Sequence, residues 1–451
     1  MENKNDLSEG SIRKKMLLFA IPIFVGQVFQ QLYNTIDSLI VGRYLGNKAL
    51  AAVSSSGSLI FMMVGFFNGV AMGAGVIIAK EFGAKNYKKM RRVIHTDVAF
   101  GLIAGILLTI VGIFGTPAIL RWMNTPAEVM PQSIQYFRIY FCGSVFSILY
   151  NIFVGILQAV GDSRHPLYYL IASSITNVIL DFVFVGVLGY GVGAAALATI
   201  MAQFISALLC FLRLLRENPE YRLNIKEIGF DRESLAGIVR FGLPSGVQNS
   251  VIAFANLVVQ SNINSFGANA MAGCGAYFRL EGFAFLPVTC FAQGLSTFVG
   301  QNLGAKKYDR VKQGVRFGVF CSMSLTEVIG IIFWIFAPTL IGMFTDSPDV
   351  IAYGVRQARI ETLFYCMLAL AHCIAGIMRG AGKATVPMFI MLGIWCVLRV
   401  TYITTVLHFI HRIEFVFSAY PLTWCISCVI FVLYYLKADW MHTFERLEND
   451  H

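Results

Sequence analysis

Twelve long apolar runs follow one another along the 451-residue chain and leave no stretch for a soluble domain. A helix needs about 20 mostly apolar residues, at about 1.5 Å each, to cross a bilayer. Within hydrocarbon every backbone polar group must be satisfied inside its own segment, so the spans are expected to be helices. The sequence therefore predicts an all-α polytopic membrane protein with twelve transmembrane helices, over residues 16–42, 50–79, 93–115, 133–159, 166–189, 192–215, 236–265, 270–299, 313–337, 353–378, 384–409 and 414–437.

The composition excludes the soluble alternatives. Hydrophobic residues make up 57% of the chain and charged residues 13%, whereas soluble domains carry roughly 25% charged residues. The net charge of +10 would suit nucleic acid in a soluble protein, but here the basic residues lie in short loops between apolar runs. The ten cysteines, including the pair Cys425 and Cys428, lie in apolar stretches, so no metal site and no cofactor are expected.

Lysine and arginine are concentrated in alternate loops, chiefly 80–92, 213–240, 306–316 and 379–383. Cytoplasmic loops carry this excess, so both termini are predicted to be cytoplasmic in the inner (plasma) membrane of the cell. Because both termini are predicted to lie on the same side of the membrane, the number of spans must be even, which supports twelve. No cleavable signal peptide is expected, because the start of the chain is polar and ends in three basic residues at 13–15 before the first apolar run.

The two halves of the chain repeat each other. Phe19-Ala-Ile-Pro22 recurs as Phe241-Gly-Leu-Pro244, and Gly-Ala-Lys-Asn-Tyr at 83–87 recurs as Gly-Ala-Lys-Lys-Tyr at 304–308. Each half holds six spans and enters from the same side, so we expect two six-helix bundles related by a pseudo-two-fold axis along the membrane normal. The predicted parts are a cytoplasmic N-terminal segment (1–15), two bundles (16–215 and 236–437), a cytoplasmic linker (216–235) and a cytoplasmic tail (438–451).

Acidic and polar residues inside the first bundle predict a cation-coupling site. Unpaired intramembrane acids are costly and usually functional, and Asp37 and Asp181 lie in the outer half of the first and fifth spans. Asn177 shares a helix face with Asp181 at i,i+4, as Asn34 nearly does with Asp37 at i,i+3, and Thr199 of the sixth span lies at a similar depth.

Two carboxylates in a low dielectric cannot both ionise cheaply, so the cluster suits a proton relay or an Na⁺ site made by Asp37 and Asp181. The alternative is that these residues form a purely structural hydrogen-bond network that joins the first, fifth and sixth spans. In the second half the counterparts of Asp37, Asn177 and Asp181 are Val259, Leu398 and Tyr402. Because only one half kept the acids, function is favoured over structural symmetry.

Weaker candidates lie elsewhere in the spans. Glu281 is predicted either to have a transport role, as a contact for a cationic substrate or as a second coupling acid, or to pair structurally with Arg399 across the second bundle. Arg399 is also a candidate cavity residue, and the role of Glu327 is left open. Gln158 and Gln260 are candidates for lining a substrate cavity, although helix-packing hydrogen bonds explain them equally well. Pro22 is expected to kink the first span and is a candidate hinge.

Three segments carry a family resemblance. The first span, IPIFVGQVFQQLYNTIDSLIVGRYLG, and the connections GAKNYKKMRR and QAVGDSRHP resemble the multidrug and toxic compound extrusion (MATE) family over essentially the whole chain. The residues Asp37, Asn177, Asp181 and Thr199 resemble the bacterial DinF-like branch. The stretch 245–265 has no acid, which departs from the NorM-like branch, where a glutamate on the seventh span is expected.

The resemblance implies a secondary antiporter, not an enzyme, that exports amphipathic organic cations in exchange for H⁺ or Na⁺ by alternating access. No Walker A motif is found in the sequence, so ATP is not the expected energy source. The expected partners are cationic drugs, H⁺ or Na⁺ and the lipid bilayer, with no nucleic acid, and the chain is expected to act as a monomer. The alternatives are a flippase for a lipid-linked or polar lipid and a membrane scaffold or binding protein whose acids are structural.

Overall fold

The computed structural model describes residues 6–122 and 125–449. The predicted N-terminal segment and C-terminal tail therefore lie partly outside the described residues, namely at 1–5 and 450–451. Within the described ranges all regular structure is helical. The helices are α1 (Ile12–Leu45), α2 (Asn47–Gly83), α3 (Tyr87–Trp122), α4 (Met130–Cys142), α5 (Ser144–Ala159), α6 (Arg164–Asp181), α7 (Val192–Leu215), α8 (Arg232–Asn264), α9 (Ala268–Gly304), α10 (Tyr308–Gly342), α11 (Pro348–Glu361), α12 (Tyr365–Gly380), α13 (Thr385–Met391), α14 (Arg399–Phe409), α15 (Ile413–Lys437) and α16 (Thr443–Asn449).

The prediction of twelve spans is confirmed. In the described part of the chain, nine helical segments are long and apolar enough to cross a membrane, and α4 with α5, bent by 48°, makes a tenth. Helices α2 and α8, with 37 and 33 residues, are also long enough to cross a membrane, at about 55 and 50 Å for 1.5 Å per residue. Six spans precede the linker and six follow it, so the chain is an all-α, multi-pass membrane protein.

Four spans are interrupted where the sequence predicted one continuous helix; one of them is the fifth, in which a π-helical turn, Phe182–Val187, follows α6. The fourth breaks at Gly143, where a Cβ would stand 2.5 Å from the Ile200 side chain of α7. A single turn, Thr362–Phe364, joins α11 to α12. The eleventh span contains a π-helical turn, Leu392–Leu398, between α13 and α14. These breaks depend on packing against neighbouring helices, which hydropathy does not report.

The described residues form two compact units: unit 1 contains residues 21–246 and unit 2 contains residues 7–20 and 247–449. These limits differ from the predicted bundles, since residues 16–20 group with unit 2 and residues 216–246 with unit 1. Close packing accounts for both. Met16 is buried against Gly318 of α10. Gly242 of α8 lies close to α2, and a Cβ added to Gly242 would stand 2.1 Å from the carbonyl oxygen of Val70.

The beginning of the described chain is tied to unit 2. Arg310 of α10 donates to the carbonyl oxygens of Leu7 (3.1 Å), Glu9 (3.0 Å) and Gly10 (2.7 Å). Lys307 donates to the carbonyl of Ser8 at 2.8 Å. We refer to residues Leu7–Gly10 as the N-terminal strap.

Candidate functional site

The two predicted acids of unit 1 meet between α1 and the end of α6. Asp181 is the last residue of α6 and has no exposed surface, and Asn177, one turn earlier, is 1% exposed. A π-helical turn, Phe182–Val187, follows Asp181 directly; such turns are frequent at functional sites. Asp37 of α1 is partly buried and interacts directly with Asp181. The structure thus brings Asp37, Asn177 and Asp181 together.

Polar atoms of this cluster lack other partners. In the described part of the chain, no hydrogen bond within 3.5 Å is made by Oδ1 of Asp37, by either carboxylate oxygen of Asp181 or by the amide of Asn177. A buried polar group without a partner costs about 1–3 kcal/mol, and a charged one more. Two adjoining carboxylates in this state favour the uptake of a proton or a small cation.

Tyrosines that the sequence reasoning missed surround the two acids. Tyr33 lies one turn before Asp37 on α1, and Tyr136 of α4 is 6% exposed; both interact electrostatically with Asp37 and Asp181. Tyr140 stacks on Tyr136 with ring centres 6.3 Å apart. The i,i+4 spacing of Tyr33 and Asp37 was a usable signal, because such residues share a helix face.

A small polar cavity adjoins the cluster. Its volume is about 80 Å³, which is room for two or three water molecules at about 30 Å³ each. Asn177 and Thr199 both line it, and the Thr199 hydroxyl donates to the carbonyl of Ala195 at 3.0 Å. Most of the lining is hydroxyl or amide: Gln30, Tyr33, Ser147, Tyr150, Asn151, Leu170, Ser173, Ser174, Asn177, Thr199, Ala202, Gln203 and Ser206.

The other predicted site residues lie apart from this cavity. Asn34 is exposed and is not among the residues that line the cavity. Gln158 is buried near the end of α5, and Gln260 donates to Asn264 at 2.8 Å on α8. Pro22 lies within α1, one residue after the point where the helix passes into unit 1.

Unit 2 holds a separate group of buried charges. Glu281 and Arg399 interact electrostatically, but no ion pair within 4.0 Å joins them in the described ranges; instead the Arg399 guanidinium donates to Thr423. Glu361, which we did not predict, is fully buried at the end of α11. It lies inside the predicted span 353–378, so the criterion that found Asp37 applies to it as well. Glu327 accepts the backbone N–H of Cys366 at 2.8 Å, a structural bond between α10 and α12.

The sequence of this chain is similar to those of known proteins. The MatE family model matches the chain twice, at residues 22–183 and 244–403. The chain is 28% identical to the probable multidrug resistance protein YoeA of Bacillus subtilis, over 95% of this chain and 94% of that protein. It is also 28% identical to the probable multidrug resistance protein NorM of Thermotoga maritima, over 85% of this chain and 83% of that protein.

Solved structures share the fold. A MOP superfamily transporter from Pyrococcus furiosus matches with a TM-score of 0.90 and 21% identity, over 96% of this chain and 97% of that one. An outward-facing multidrug resistance MATE family transporter matches equally well, with a TM-score of 0.90, 21% identity and the same coverage. Because the family model covers most of the chain, once in each half, the chain belongs to the MatE family of membrane transporters.

Proposed function

We propose that this protein is a secondary active antiporter that exports amphipathic organic cations in exchange for H⁺ or Na⁺. The observation that carries the proposal is the Asp37–Asp181 pair in unit 1, buried with Asn177 beside a polar cavity. Relatives are named multidrug resistance and multidrug export proteins, which supports drug efflux as the class of transport.

The pair is suited to exchange because its charge is unbalanced. When both carboxylates are ionised they repel each other in a medium of low dielectric, and one bound H⁺ or Na⁺ relieves that repulsion. Asn177 adds a neutral oxygen that can coordinate Na⁺ or accept a hydrogen bond from a protonated acid. The site therefore has two states that differ by one cation.

Helix α1 is the element that such an exchange would move. It carries Asp37 in its second half and Pro22 in its first, and proline removes a helix hydrogen bond and allows a bend. Cation binding at Asp37 would bias α1 between two shapes and so alternate access to the substrate path. Each proton crossing 100 mV supplies about 2.3 kcal/mol, and each pH unit about 1.4 kcal/mol, which sustains a drug gradient of order a hundredfold without ATP.

The substrate class follows from charge and aromaticity. The buried charges beside the cavity, Asp37 and Asp181, are acidic, and Tyr33 and Tyr150 line the cavity; aromatic rings attract cations. A flippase for a lipid-linked diphosphate would instead need basic groups there. In this proposal the protein works as a monomer in the plasma membrane, with both termini in the cytoplasm and without a cofactor.

Dye efflux from proteoliposomes tests the proposal. Wild type, Asp37→Asn and Asp181→Asn are compared under separate H⁺ and Na⁺ gradients, with Asp349→Asn as a matched control, because Asp349 is exposed in the first turn of α11 in unit 2. We expect flux driven by one gradient in wild type and in the control, and loss of that flux in both site variants. Equal flux in all four proteins, with altered thermal stability in the site variants, would identify the acids as structural. Transport of a lipid-linked substrate in place of dye would favour the flippase.

A further inference from the structure

Unit 2 contains three charged side chains that the proposed function does not use. Glu361 has no exposed surface, Arg399 is 2% exposed and Glu281 is 8% exposed. They come from α11, from the start of α14 and from α9. Buried charges are costly unless they balance each other, so the cluster requires an account of its own.

Arg399 is held firmly at the centre of this cluster. Its Nε and Nη2 donate to the hydroxyl oxygen of Thr423, at 3.1 and 2.7 Å. Its guanidinium carbon lies 4.4 Å from the ring centre of Tyr420 and 5.4 Å from that of Trp395. A guanidinium stays charged at any physiological pH, and aromatic faces stabilise it where water is excluded. Arg399 is therefore a permanent positive charge inside the bundle.

The two acids have hydrogen-bonded and electrostatic partners that fit this charge. Glu361 accepts from Gln357 at 2.9 Å and from the Tyr277 hydroxyl at 3.2 Å. Tyr277 is in turn 2.8 Å from the hydroxyl of Tyr365. Glu281 and Glu361 both interact electrostatically with Arg399. The titratable and charged groups of the cluster are Cys274, Tyr277 and Glu281 on α9, Glu361 on α11, Tyr365 on α12, Cys396 in the π-helical turn, Arg399 on α14 and Tyr420 on α15.

We propose that Arg399 is a resident counter-ion, which permanently supplies the positive charge of this acidic cluster and keeps unit 2 from taking up an exchangeable cation. The contrast with unit 1 rests on the proposed function, whereas the charge balance within unit 2 does not. Arg399 acts through the carboxylates and is a positioning residue. Without it, the oxygens of Glu281 and Glu361, together with the hydroxyls around them, form a set that a hard cation such as Na⁺ prefers.

Two tryptophans report on the cluster directly. Trp395 contacts Arg399, and Trp424 lies 6.1 Å from Tyr365 between ring centres. Tryptophan emission and thermal unfolding are therefore measured on purified protein in NaCl and in choline chloride of equal ionic strength, in alkaline buffer. All proteins carry Asp37→Asn, which removes the response of unit 1. The variants are Arg399→Lys, Arg399→Met and Arg399→Met with Glu361→Gln.

Na⁺ is expected to change neither the tryptophan emission nor the unfolding midpoint of the parent and of Arg399→Lys, because both keep a positive charge at position 399. In Arg399→Met, Na⁺ is expected to shift the tryptophan emission and to raise the unfolding midpoint by on the order of 2 °C or more. The double variant is expected to lose the Na⁺ response and to unfold at a higher temperature than Arg399→Met alone, because one uncompensated acid has been removed.

Three results overturn the proposal. The first is an Na⁺ response in the parent, which would mean that unit 2 takes up a cation despite Arg399. The second is an Arg399→Met protein that is stable and indifferent to Na⁺. If Arg399→Met cannot be purified, the double variant is measured instead. The third contradicting result would be a double variant that cannot be purified either. None of these results depends on transport, so the proposed function stands or falls separately in the efflux experiment.

Discussion

The buried acids of the two units have different partners. In unit 1, Asp37 and Asp181 adjoin each other beside the amide of Asn177, and in the described part of the chain no ion pair within 4.0 Å joins either acid to a basic group. In unit 2, Glu281 and Glu361 interact electrostatically with an arginine that the protein itself provides. A site whose missing charge must come from solution can exchange cations, and a site with its own cation cannot. We therefore propose that the repeat has produced one bundle suited to cation exchange and one whose acids already have a counter-ion.

The largest expected effect comes from neutralising acids in each unit separately. Asp181→Asn is expected to lower gradient-driven dye flux by about 100-fold, near background, because each half of the pair is needed for cation binding. Glu361→Gln is expected to retain most of the flux, since Arg399 still interacts electrostatically with Glu281. Efflux from proteoliposomes measures both. Similar losses in the two variants would remove the distinction between the units.

A double variant, measured by the same efflux assay, tests whether Asp37 and Asp181 act as one site. Residues that act as one unit give strongly non-additive losses. Asp37→Asn with Asp181→Asn is therefore expected to transport no worse than either single variant. If the two losses instead multiplied, each acid would carry a cation of its own, and the single shared site would be wrong.

The second contrast concerns the prolines that the repeat places in α1 and α8. Pro22→Ala restores a helix hydrogen bond in the span that carries Asp37, so a stiffer α1 is expected to cut flux severalfold while leaving thermal stability equal or higher. Pro244→Ala makes the same change in α8, whose position 259, the counterpart of Asp37, is a valine. We expect a smaller loss there. Equal losses of flux in the two variants would mean that the bend at the proline, and not the presence of Asp37 on the same helix, accounts for the loss.

Much of this arrangement could be predicted from the sequence, and the remainder depended on which helix faces meet. Hydropathy predicted all twelve spans because each must cross the same apolar layer. The depth and spacing of Asp37, Asn177 and Asp181 predicted their meeting. The break at Gly143 and the approach of Tyr136 to the acids could not be predicted in this way, since they depend on contacts between helices distant in sequence, such as that of Gly143 with Ile200. Tyr33 could have been found from its i,i+4 spacing to Asp37.

A fourth prediction concerns the N-terminal strap of unit 2. Arg310→Ala removes the hydrogen bonds that hold the carbonyls of Leu7, Glu9 and Gly10, so residues 7–15 are expected to exchange amide hydrogens at least 10-fold faster. Hydrogen exchange with mass spectrometry measures this, and Arg316→Ala, an exposed arginine on the same helix, is the control. The amides around Asp181 in unit 1 are expected to stay protected. Loss of protection there as well would show that the strap stabilises both units.

The smallest effect is expected where α8 begins in unit 1. Asp231 caps this helix, because its Oδ2 accepts the N–H and the hydroxyl of Ser234 at 2.9 and 2.6 Å. Asp231→Ala is expected to cost about 1 kcal/mol of local stability. Asp309→Ala near the start of α10 in unit 2 should cost nothing measurable, since that carboxylate is 94% exposed and 3.8 Å from Lys312.

The cap also has a pH dependence. The hydrogen bonds from Ser234 hold the pKa of Asp231 below its ordinary value of 3.8. A carboxyl whose pKa is lower in the folded protein stabilises it above the unfolded pKa and loses that contribution as pH falls through the folded one. Amide exchange in residues 232–238, corrected for its intrinsic pH dependence, should therefore accelerate below about pH 4 in wild type and show no such step in Asp231→Ala. A step of equal size in both proteins would assign it to another acid of the linker.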